Sequence, residues 1–316
     1  MTVDRVVSDR LHIFAASMVA DWYGARTDTP YAIERVIDAL IPVVLARSDA
    51  ATMALAVAHL WEPESDTEAE DARQMMEERL SGGSVKGPYM IWVPPRGVVP
   101  AQEPEASDFV MRVQLAAAPM LDGARVEFDL PAKVQLAKVR EEGGYASVIG
   151  GLSRYWTNIT DRVQGTVHVN SMQIRRVSQS DAAREALYAR IGEIAKTLSL
   201  KDAVEFDTVE SWTLQRLPAA LLSETGFAIA QAPPRIDPAD GTLMRRLVRK
   251  RLKDAAEAIA AVEADVKGVA LLAIYEYAEH ENVGSFVKSL DPGLFAKLGL
   301  VAAVVDGEVR PVFVPR

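Results

Sequence analysis

Seven consecutive apolar residues, Val269–Tyr275, constrain this chain more than any other feature. A strand with no polar alternation must be covered on both faces, so the run predicts an interior strand of a sheet with structure packed on each side. That excludes a plain helical bundle for the C-terminal part and points to a layered α and β body. The run is also far too short to cross a bilayer, as is the apolar stretch 39–46.

The flanking patterns extend this reading. Apolar residues on one face of 244–259 predict a helix from Asp240 to about Ala264, and Asp306-Gly307 predicts a hairpin between 301–305 and 309–314. Upstream, strands are expected at 109–117, 124–129 and 133–140, punctuated by Asp122-Gly123 and Leu130-Pro131. A helix over Tyr145–Val163, a strand over 166–177 and a helix over 180–198, capped by Ser180 or Asp181, complete the middle block. The first eighty residues read as four helices, at 11–22, 33–40, 49–61 and 67–80, joined as an antiparallel bundle. Five prolines between Pro88 and Pro104 suggest a connector. The expected fold class is therefore α+β: an N-terminal helical segment, residues 1–86, a proline-rich connector, 87–106, and a mixed α/β body with antiparallel hairpins, 107–316, divisible near 199.

Composition narrows the chemistry. With no cysteine, the 316 residues cannot form disulfides, thiolate metal sites or a thiol nucleophile. The charged first ten residues lack the apolar core of a signal peptide, so a cytoplasmic location, with no membrane association, is expected. The net charge is −9, and most of the acidic excess precedes Glu105, much of it in 62–78. Such a surface repels phosphate, which leaves only a local basic patch for nucleic acid.

One patch of that kind stands out. Arg245, Arg246, Arg249, Lys250 and Lys253 share one arc of the 240–264 helix, opposite Met244, Leu247, Val248, Leu252, Ala255 and Ile259. Arg251 projects into the apolar sector, where a guanidinium is expected to meet a carboxylate or a ligand. Arg154 and Arg162, with Tyr155 nearby, are candidates for a second basic and aromatic binding face on the 145–163 helix, followed by Arg175 and Arg176.

Catalytic signals are sparser. Glu276, Glu279, His280 and Glu281 follow the buried run, at the strand end where α/β folds place sites, and such ligands suit Mg²⁺ or Mn²⁺. Asp265-Val266-Lys267 is a literal D-x-K, but without a carboxylate on a neighbouring strand to complete a nuclease site. Ser285-Phe286-Val287-Lys288 matches S-x-x-K and lacks the companion motifs of penicillin-recognising enzymes. Gly143-Gly144 reads as a tight turn, and His12, His59 and His168 as packed or half-exposed side chains.

With no catalytic set intact, the sequence points first to a binding or scaffold protein without a cofactor. It would serve as a subunit of a bacterial nucleic-acid-processing or defence assembly, with a protein partner, a second copy or nucleic acid as its ligand. The alternative is a divalent-metal hydrolase or nuclease built on Glu276, Glu279 and His280.

Overall fold

The computed structural model describes residues 4–61, 67–222, 224–233, 241–273, 293 and 297–314. In chain order the elements are α1 (Asp4–Thr27), β1 (Ala32–Ile37), β2 (Val43–Arg47), β3 (Thr52–His59), α2 (Thr67–Ser81), β4 (Pro88–Trp92), α3 (Glu105–Ala117), β5 (Arg125–Arg140) and β6 (Gly144–Gly150). They continue with α4 (Trp156–Thr160), β7 (Gly165–Ser171), α5 (Asp181–Thr197), β8 (Ala203–Arg216), β9 (Gly226–Ala230), α6 (Gly241–Ala260), β10 (Val266–Leu272), β11 (Leu300–Val305) and β12 (Glu308–Phe313). The fold is mixed α and β, begins with a helix and contains two mixed sheets. Two compact units share the chain: residues up to Val126 together with those from Thr213 onward, and Glu127–Trp212.

The first unit is built on a six-stranded sheet of order β1-β2-β3-β10-β11-β12. Its centre, β3-β10-β11, is parallel, and the pairs toward each edge are antiparallel. Every residue of 53–58, 268–272 and 300–305 is buried, as the two-sided covering of an apolar run requires. Part of this cover comes from α1, whose Phe14, Ala15, Ala16 and Val19 are sealed in the core, and from α6. In the same unit β4 pairs in parallel with β9 and antiparallel with the 213–216 end of β8, and α2 packs on β9. The proline-rich stretch 87–106 therefore carries a fully buried strand, β4, and the start of α3.

In the second unit β6 pairs with β7 in parallel and β7 with β5 antiparallel. Hydrogen bonds from Lys138 N to Asp202 O and from Lys201 N to Lys138 O join β5 to the start of β8. The core gathers Val134, Leu136, Val167 and Val169 from the strands with Ile159 and Ile191 from the helices. Ser180 caps α5, its side chain accepting from Ala183 N.

Several local expectations change. The segments expected as helices at 33–40 and 49–61 are largely β1 and β3. In β3 Ala54, Ala56 and Ala58 have high helix propensity, yet burial on both faces of a central strand overrides it, whereas β1 is an edge strand held by its antiparallel pairing with β2. The expected strand 109–117 is α3, which buries Ala106, Phe109, Val113 and Ala117 at helical spacing. Asp122-Gly123 thus turns a helix into a strand and makes no hairpin, whereas Asp306-Gly307, both at positive φ, does close β11 onto β12. Pro131 does not break β5, because it lies outside the stretch paired with β7, 135–140, and points to solvent. The expected helix 145–163 is β6, a single 3₁₀ turn and the one-turn α4.

Candidate functional site

The amphipathic division of α6 is complete. Met244, Leu247, Val248, Leu252, Ala255 and Ile259 are buried, while Arg245, Arg246, Arg249, Lys250 and Lys253 are all exposed. From Arg245 to Lys253 the helix rises about 12 Å, so one side of it presents five cations along two turns. Lys253 lies 4.0 Å from Glu257, and both side chains are largely exposed. Arg251 leaves this row and turns inward. Its Nε donates to His59 O and its Nη2 to Trp61 O, each at 3.0 Å. The expected carboxylate or ligand is thus replaced by two backbone carbonyls just past β3, which hold α6 against the carboxyl end of that strand.

The same strand end carries a polar cluster that the sequence reading did not assemble. The rings of His12 and His59 stack at 5.0 Å, and those of His59 and Trp61 at 4.7 Å. Burial, reinforced by Arg73, lowers the His12 pKa to about 4. Burial, then His12, Arg73 and Arg251, holds His59 well below the usual imidazole range. Both shifts favour the neutral ring.

Beside them, on α2, Arg73 is ion-paired with Glu70 and Glu77. Burial disfavours the guanidinium charge, but hydrogen bonds and attraction from the two glutamates outweigh it and raise the Arg73 pKa. Glu77 is fully enclosed; its Oε1 accepts from Arg73 Nη1 at 2.5 Å and from Ile229 N at 2.7 Å. Burial pushes its carboxyl up to about 7 against the pull of Arg73. The one sequence signal for this cluster was local: Glu70, Arg73 and Glu77 at helical spacing beside the apolar stripe Ala72, Met76 and Leu80.

The other candidates fall elsewhere. Arg154 sits in the 3₁₀ turn 153–155, its guanidinium 5.9 Å from the Tyr155 ring centre, and Arg162 pairs with Glu185 of α5. Arg175 is held by Glu210 at 3.1 Å and Arg176 by Glu127 at 3.0 Å, so these arginines bind their own unit together. The helix face expected to align Arg154 with Arg162 does not form.

Asp265 stands just before β10, at the amino end of the parallel strands. Its Oδ2 accepts from Thr52 N at 2.8 Å and from Thr52 Oγ1 at 3.0 Å, which lowers its pKa and ties β10 to β3. Gly143, at φ 90°, turns β5 into β6 with no helix behind it to bind phosphate. Glu276, Glu279, His280 and the Ser285–Lys288 motif lie outside the described residues. Among the described residues no group of three His, Asp or Glu could hold a metal ion, and no helix is long and apolar enough to cross a membrane. No known family model matches the chain, and neither the curated proteins nor the solved structures compared with it gave a match.

Proposed function

We propose that this protein is a binding subunit that contacts the phosphate backbone of a nucleic acid through the outer face of α6. The observation that carries the reading is the exposure of all five cations on one well-anchored helix of a chain whose net charge is −9. Arginine and lysine in such a row neutralise phosphates without reading bases, and the anionic remainder of the surface restricts contact to that row. Participation in a larger nucleic-acid-processing assembly follows naturally for a chain that supplies such a surface.

The test is the triple reversal Arg245→Glu, Arg249→Glu, Lys253→Glu, assayed by fluorescence anisotropy on labelled duplex DNA and single-stranded RNA. If the face neutralises about four phosphates, raising salt from about 50 to 200 mM weakens wild-type binding roughly 100-fold. The triple variant should lose binding at both salts and keep its melting temperature. Wild-type affinity in the triple variant would refute the reading. A change of oligomeric state in that variant would instead assign α6 to contact between copies.

A second reading rests on β10, which has parallel neighbours on both sides, so that the chain leaves the sheet where α/β folds place sites. Glu276, Glu279 and His280 follow that end in sequence. Calorimetric Mn²⁺ binding that Glu276→Ala abolishes would favour a metal-dependent hydrolase or nuclease.

A further inference from the structure

The geometry points to a second binding surface, a groove of about 540 Å³ between α2 and residues 98–105, shaped for an extended basic and apolar peptide of a partner protein. Its base is apolar: Ala72 and Val99 are buried, and Val98 stays 48% exposed. A large aliphatic side chain left half in water on such a floor gains from being covered.

The charges lining the groove have one sign. Glu68 and Glu105 stand on it, both exposed, and neither has an ion-pair or hydrogen-bond partner among the described residues. Each lies in the first turn of its helix, α2 or α3, where the helix dipole favours the ionised carboxylate. A lysine or arginine reaching either side of the groove would therefore meet a standing negative charge. Nucleic acid and acidic lipid are repelled by the same arrangement.

The backbone of the wall favours an extended occupant. Among the described residues the N–H groups of Val98, Val99 and Ala101 donate no hydrogen bond. Val99 precedes Pro100 and is thereby biased toward extended backbone. Ala101 is exposed and can offer its N–H to an added extended chain, next to Pro100, which has no donor. A second copy of the chain is a poorer match, because its cationic helix α6 has already buried its apolar face. The groove shares no residue with α6, so the two surfaces can fail separately.

Selection of random octapeptides by phage display on the full-length protein tests this. The expected winners place two or three apolar residues between Lys or Arg, and a labelled consensus peptide should bind saturably by fluorescence anisotropy. Glu68→Lys with Glu105→Lys should weaken it at least ~10-fold, since each exposed pair contributes about two- to fivefold and reversal replaces attraction with repulsion. Val98→Asp should weaken it as well, and unchanged melting temperatures would show that both variants fold. Failure to select any peptide, selection of acidic or uncharged sequences, or affinity indifferent to both variants would overturn the assignment. Self-association that the double reversal abolishes would overturn it too, by giving the groove to a second copy.

Discussion

Glu77→Gln removes a titrating carboxyl from the interior while keeping the shape of the side chain and a carbonyl oxygen for Arg73 and the Ile229 amide. The folded protein raises the Glu77 pKa from 4.5 to about 7, so between these values the native state holds a proton that the unfolded chain has lost. Stability from this group is therefore complete below pH 4.5 and drains away as pH rises to 7, by about 3 kcal/mol in all. His12 has the opposite sign. Its pKa falls from 6.5 to about 4, so its contribution is complete above pH 6.5 and is lost as pH falls toward 4, by about the same amount. From pH 4.5 to 6.5 the two nearly cancel in the wild type. Glu77→Gln should unmask the histidine, making stability climb about 1.4 kcal/mol per pH unit more steeply than in the wild type. Urea denaturation at pH 4.5, 5.5 and 6.5, followed by hydrogen exchange of α2 and β9 peptides, reports on the first unit alone. Parallel pH profiles for the two proteins would show that Glu77 is ionised in the native state, and would refute the reasoning.

Arg251→Met should destabilise the first unit by about 2–4 kcal/mol, since it removes two charge-assisted bonds to carbonyls. Thermal melting should show a far smaller loss for Arg249→Ala on the exposed face. Gly151→Ala places a Cβ 2.1 Å from Ile174 O, a backbone atom that cannot step aside, and should cost the second unit about 2 kcal/mol or more in urea titration. Asp265→Ala should lower the melting temperature, by untying Thr52, while leaving anisotropy with nucleic acid unchanged.

What could be read without coordinates depended on how far each segment's pattern ran. Within α6 the apolar stripe repeats for about four turns, and α5 begins at a serine cap; both were legible, as were β10 and the terminal hairpin. By contrast β3 buries both faces, so Met53–Ala58 has no alternation to separate strand from helix. In β6 the seven residues Gly144–Gly150 fit either period, and only pairing with β7 selects one. For β5 the alternation Phe128, Leu130, Ala132, Val134, Leu136 was visible, but Pro131 was given the weight of a break. The cationic face of α6 was legible because it is local. The stack of His12, His59 and Trp61, with the charge of Arg73 acting on it, was not, because it brings together α1, the end of β3 and α2 through tertiary structure alone.

The division at Val126 and Thr213 makes the second unit an insertion in the chain of the first. Arg216 N donates to Ala124 O at 2.9 Å, so both cut points fall within three residues of one hydrogen bond. While residues 127–212 are folded, they act on the first unit as a short clasp that returns the chain to its point of departure. Unfolded, the same residues become a long slack loop, whose closure costs about 3 kcal/mol more than that of a tight turn. Through this link alone, a destabilising change deep in the insertion is expected to lower the stability of the first unit as well.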